Sequence, residues 1–185
     1  MIQLYHNFIL ISIMLNHLIQ KGMICIMKKN NDKVTTLLTN TLIELINKEN
    51  YETISISDLC NKAGVGRMSF YRNFNSKDEI LVKYIADITY DFIKNNNIVY
   101  NEPDFKSYII ALFEHLKENK TLCYNLYKIN KLYLIKNIFD EVFIKCNRYN
   151  EYKSYYISGS LYNTFYCWVK NDFKETPEEI ADLIS

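Results

Sequence analysis

The chain has 185 residues, 49% of them apolar, with only 4 Gly and 2 Pro. A sheet protein needs a turn roughly every 8–12 residues, so this composition argues against all-β architectures and for long helices around one or two cores. The net charge of +1 hides a split: residues 28–77 hold 8 Lys/Arg against 5 Asp/Glu, while residues 78–185 hold 13 against 16, a pattern that suits a polyanion-binding module joined to an acidic second part.

The first 27 residues, MIQLYHNFILISIMLNHLIQKGMICIM, have no basic start and no small-residue cleavage site, so they do not read as a signal peptide. Their apolar run from Phe8 to Leu15 is interrupted at Ser12 and falls short of the roughly 20 residues a membrane span needs. Met23 and Met27 are both plausible true starts. Residues 1–27 therefore read as an extension, either a mis-called start or an amphipathic appendage with Gln3, Asn7, Asn16 and Gln20 on one side.

From Val34 a helical period begins, with Val34, Leu38, Leu42, Leu45 and Ile46 forming one apolar stripe that ends before Asn50 and Tyr51. Ser55 followed by Asp58 forms a capping box with a shortened acid, and predicts a short helix from Ile56 to about Lys62 with Ile56, Leu59 and Ala63 inside. Gly64 stands where a tight turn needs a positive φ. Gly66 can then cap a second short helix, Arg67 to about Asn73, which buries Phe70 and Phe74 and presents Arg67, Met68, Ser69, Tyr71 and Arg72 on its other side. Ser76-Lys77-Asp78-Glu79 is a full capping box that launches a long helix through Ile80, Leu81, Tyr84, Ile88 and Phe92.

Further on, Asn95-Asn96-Asn97 and Asn101-Glu102-Pro103 read as a connection, and Asp104 as the cap of a helix with Phe105, Tyr108, Ile109, Leu112, Phe113 and Leu116 inside. Helical pieces follow over Leu122–Ile129 and Leu132–Cys146, then an aromatic helix from about Tyr152 to Lys170. Thr176-Pro177-Glu178-Glu179 starts a last helix of about nine residues, with Thr as cap and Pro at the first helical position.

Helix, short helix, tight turn and short helix make a helix-turn-helix. The segment from Ser55 to Leu81, with Ala63-Gly64-Val65 leading into a helix that ends in Tyr71-x-x-Phe74, then Ser76-Lys77-x-Glu79-x-Leu81, resembles the TetR/AcrR family of transcriptional regulators. The likeness spans some 45 residues and implies an all-α protein, with an N-terminal three-helix helix-turn-helix DNA-binding domain (residues 28–77) followed by a helical ligand-binding and dimerisation domain (residues 78–185). Position by position, it places Arg67, Met68 and Ser69 at base edges, Tyr71 and Lys77 on phosphates, and Ser57 where the second helix touches the backbone. The chemistry agrees. Arg suits the guanine edge, Met or Ser a thymine methyl or a base edge, and a Tyr hydroxyl or a Lys at a helix start suits phosphate. Gly66 replaces the usual Ser or Thr cap and Met68 a usual small residue, departures that bear on the target sequence rather than on the activity.

In the later part the resemblance is looser. Ser158-Gly159-Ser160 leading to Trp168 looks like the family's small-residue segment before its final helix, which implies a homodimer seam. Tyr155, Gly159, Tyr162 and Tyr166 are its candidates, and the same aromatic stripe carries Phe165 and Trp168 to the seam; the alternative for this stripe is intrachain core. A ligand pocket is implied between the middle helices, with His115 and Cys123 as candidate lining.

The expected function is a cytoplasmic, homodimeric repressor that binds a double-stranded DNA operator and releases it when a small-molecule effector of unknown identity binds. The alternative is a regulator without a small-molecule pocket, switched by a protein partner or acting as an activator. No nucleophile elbow, phosphate-binding Gly loop or acid–base pair suggests an enzyme. The five cysteines form no CxxC pair and no metal-ligand spacing. No metal, cofactor or membrane role is expected, and the cysteines read as free thiols in a reducing compartment.

Overall fold

The computed structural model describes residues 33–96, 105–145 and 149–184, and every regular element among them is helical. The N-terminal extension, residues 101–104 with the expected Asp104 cap, and Cys146 lie outside the described residues.

Helix α1 (Lys33–Ile46) buries Leu38, Leu42, Leu45 and Ile46, as its period predicts, and adds Thr35; Val34 is half-buried. A 3₁₀ turn (Tyr51–Thr53), capped by the Asn50 side chain, leads to α2 (Ile56–Ala63). Ser55 caps α2 by accepting from the Asp58 amide at 3.0 Å. The carboxylate of Asp58 does not return to the Ser55 backbone; it accepts from the Ser55 hydroxyl at 2.6 Å, in keeping with a side chain one methylene shorter than Glu.

Gly64 takes the left-handed conformation, φ 66°, and the Gly64 and Val65 amides donate to the carbonyls of Asn61 and Cys60. These are the two bonds of a Schellman end, which satisfy carbonyls that the last turn of α2 would otherwise leave open. Helix α3 (Arg67–Asn73) starts at Gly66 with no side-chain cap. Ser76 accepts from the Glu79 amide to start α4 (Lys77–Asn96), while the Glu79 carboxylate reaches Asn75, both amide and side chain, rather than Ser76.

The later helices are α5 (Phe105–Glu118), α6 (Lys120–Lys128), α7 (Tyr133–Lys145), α8 (Glu151–Lys170) and α9 (Pro177–Ile184). Helix α1 packs on α2, α3 and α4; α4 packs on α7, α7 on α8, and α5 on α9. Helix α4 therefore belongs to both groups.

Two expectations change. Asn95 and Asn96 belong to α4 rather than to the connection after it; Asn costs at most about 0.7 kcal/mol per helical residue against Ala, too little by itself to exclude them from a cooperative helix. Phe165 and Trp168 do not face outward. Both are buried in the intrachain core, where Trp168 meets Phe113 at 5.2 Å and Phe173 at 4.9 Å between ring centroids, and its indole N–H donates to the Glu175 carbonyl at 2.9 Å. Helix α9 starts at Pro177 with Thr176 as its cap, as expected, and the box is reciprocal: the Glu179 amide donates to the Thr176 hydroxyl, and the Glu179 carboxylate accepts from the Thr176 amide.

Candidate nucleic-acid interface

The surface begins with Phe70 and Phe74, 0% and 4% exposed, which bind the inner side of α3 to the core of α1 and α2. They stand four positions apart on one side of the helix, which turns Arg67, Met68, Tyr71 and Arg72 outward. Arg67 and Arg72 are exposed, Ser69 is half-buried, and Met68 is 70% exposed. Met68 thus stands with Arg67, Tyr71 and Arg72 on the outer side of a helix of seven residues.

Tyr71 is 55% exposed, yet its ring stands edge-on to Phe70 at 5.2 Å. The core thus steadies its base and leaves its outer part available. Ser57, in the first turn of α2, is half-buried. Arg67, Met68, Ser69 and Tyr71 therefore share one short helix, and Ser57 sits on the neighbouring helix α2.

Lys77 differs from the expectation of a free phosphate contact. Its ammonium donates to the carbonyls of Tyr51 at 2.7 Å and Ile54 at 2.6 Å, and lies 4.4 Å above the Tyr51 ring. Two of its three donors are used inside the chain, and burial lowers its pKa, an effect the charges of Glu52 and Asp78 partly offset. Lys77 is a strut between α4 and the 3₁₀ turn. Local sequence gave no sign of this, because both carbonyls lie more than twenty residues away.

The candidate effector residues are not brought together. His115 stacks on Phe92 (4.3 Å, 21° between planes) beside an open cleft of about 330 Å³ between α4 and α5, which Asp91, Glu114, Glu118 and Asn119 also line. Burial lowers its pKa, partly offset by Glu118. Cys123 is elsewhere, buried with its thiol against the Leu116 carbonyl and its pKa pushed up to about 12 by desolvation. It packs in the core and does not line this cleft.

On α8, Tyr155 and Tyr166 are exposed and Gly159 faces open space. Tyr162 is half-buried, its ring near Tyr166, which in turn meets Tyr127 of α6. The most exposed aromatics of the helix are two that the sequence reading passed over, Tyr152 (88%) and Tyr156 (76%). Helical spacing could have found them, since 152, 156, 159, 163 and 166 advance by threes and fours along one side. Among the described residues no group of side chains is arranged to hold a metal ion, and no helix is long and apolar enough to cross a membrane.

A short exposed helix, set by a Schellman turn on a three-helix core and continued into a larger helical part, defines a helix-turn-helix DNA-binding protein. Residues 38–84 match the family model of bacterial regulatory proteins of the tetR family, and residues 103–185 match that of a transcriptional regulator C-terminal region. The chain belongs to the TetR family and is a DNA-binding transcriptional regulator. It is similar to the HTH-type dhaKLM operon transcriptional activator DhaS of Lactococcus lactis subsp. lactis (strain IL1403), 25% identical over 137 residues that cover 71% of this chain and 70% of that protein.

Proposed function

We propose that this regulator binds its operator in the cytoplasm as a homodimer. Residues 28–77 read DNA and residues 78–185 carry dimerisation and control. Arg67, Met68 and Ser69 meet base edges, and Tyr71 and Ser57 hold phosphates. The observation that carries this reading is the bare outer face of α3, where Arg67, 70%-exposed Met68 and Tyr71 stand out from a helix anchored by buried Phe70 and, at its end, Phe74. Dimerisation uses the outward side of α8, with Tyr155, Gly159 and Tyr166 joined by Tyr152 and Tyr156; the four tyrosines are exposed, Tyr152 and Tyr156 the most. Half-sites about 34 Å apart, or a multiple of that, fit two such reading heads.

The leading reading of control is a small molecule held in the α4–α5 cleft beside His115, which shifts DNA affinity and whose own affinity DNA shifts in return. A second reading has support of its own. Phe113, Phe165, Trp168 and Phe173 fill the interior between α5 and α8, and the relative named above is an activator. That combination favours control through the surface, by a protein partner, with activation as its sign.

The test is fluorescence anisotropy with DNA from immediately upstream of the protein's own gene, set against random DNA at two salt concentrations. Arg67→Ala is expected to relax base preference and to cost roughly 1–3 kcal/mol on the upstream fragment. Equal loss on both DNAs, or none on either, would remove Arg67 from base reading.

A further inference from the structure

The α1–α2 connection and the α6–α7 corner are far apart in sequence but meet around one carboxylate. Asp78, in the first turn of α4, accepts from the Tyr51 hydroxyl and from the Lys131 ammonium, the latter at 2.8 Å. Tyr51 is 2% exposed, and the Lys77 and Lys131 ammoniums lie 4.4 and 5.7 Å from its ring centroid. The corner that presents Lys131 is itself fixed. Asn130 takes φ 56°, and the amides of Asn130 and Lys131 close the end of α6 on the carbonyls of Tyr127 and Leu126. A second tie runs beside it, from the Asn125 side chain on α6 to that of Asn47 just after α1.

We propose that Lys131 is a positioning residue for DNA reading: by clamping Asp78 and Tyr51 while Asn125 holds Asn47, it fixes the orientation of α2 and α3 relative to the rest of the chain. Two separate points of attachment restrain a rotation, which one contact would leave free. In a dimer that rotation sets how both recognition helices meet successive grooves, so a slack clamp degrades operator reading without touching a base. The ion pair is partly open to solvent, its side chains 21% and 35% exposed, and such pairs contribute little to overall stability. That separates positioning from mere support of the fold. The inference rests on the DNA-reading surface proposed above, and concerns residues distant from it in sequence.

Three variants and two measurements test it. Lys131→Met should raise hydrogen exchange of the Tyr51–Ile54 amides and weaken binding to the upstream fragment about 5- to 150-fold, the usual span of coupling between sites. Binding to random DNA and the thermal midpoint should stay near wild type. Lys131→Arg, which keeps the charge and the donor, should restore both readouts. Arg67→Ala should lose operator preference with exchange at Tyr51–Ile54 unchanged. Wild-type exchange and wild-type operator affinity in Lys131→Met would overturn the clamp. A Lys131→Met effect on exchange, beside an Arg67→Ala variant that still prefers the upstream fragment, would instead count against the reading surface. An equal loss by Lys131→Met on operator and random DNA would make Lys131 a plain phosphate contact and end the proposal.

Discussion

The first three helices and the later ones hold their shape by different means. Within α1–α3, order comes from short-range devices: the Ser55 cap, the Schellman turn at Gly64, and two phenylalanines four residues apart. From α5 onward caps and turns also act, but the order between helices comes from contacts distant in sequence, Phe113 with Trp168 and Ser158 of α8 donating to Asp140 of α7. The difference suits their tasks. A reading helix must present the same few side chains at one angle, while the regulatory part needs surfaces on which its state can be altered.

The largest effect that would sharpen this contrast is Phe70→Ala. Emptying a fully buried site should cost about 3–5 kcal/mol and abolish DNA binding. The single tryptophan of the chain, Trp168, is buried among the later helices, so its fluorescence follows them alone. A helicity loss by circular dichroism that precedes the Trp168 transition in denaturant would show the reading helices melting separately. Coincident transitions would break the contrast.

Next comes Gly64→Ala. A Cβ there meets nothing within 4 Å, so the whole cost is backbone strain at positive φ, about 1–2 kcal/mol. No loss in a denaturant midpoint would show that the turn is not held as described.

Thr176→Ala removes one side of the α9 capping box and should cost about 1 kcal/mol. Here the Trp168 signal should move, because Glu175 accepts its indole N–H, while DNA binding by the reading helices should not.

The smallest effect is pH-dependent. Burial holds the His115 pKa below its ordinary 6.5, so the unfolded chain takes up that proton first as pH falls. The stability linked to neutral His115 is present above about 6.5 and declines below it. An NMR titration should place its midpoint under 6.5, and His115→Phe should flatten the change; a midpoint above 6.5 would remove His115 from a desolvated stack.

Much of this was legible in the residues. Caps, turns and apolar spacing act over three or four positions, so Ser55, Gly64, Gly66 and the pair Phe70 and Phe74 could be read directly, and the exposed side of α3 followed by subtraction. The Tyr152 and Tyr156 face was readable by the same spacing but was obscured by a chain with 16 tyrosines. Lys77 was not readable, because a lysine at a helix start has the same local signature whether it reaches outward or turns to carbonyls behind it.

The sequence by itself determined that the chain is helical, where its short helices begin and end, and which side of α3 is free, since each depends on backbone geometry and burial within a few residues. Only the tertiary structure decided that Trp168 and Phe165 are core, that Cys123 does not line the cleft beside His115, and that Lys131, Asp78 and Tyr51 meet. Those outcomes depend on which helices lie against one another, and no local period carries that information.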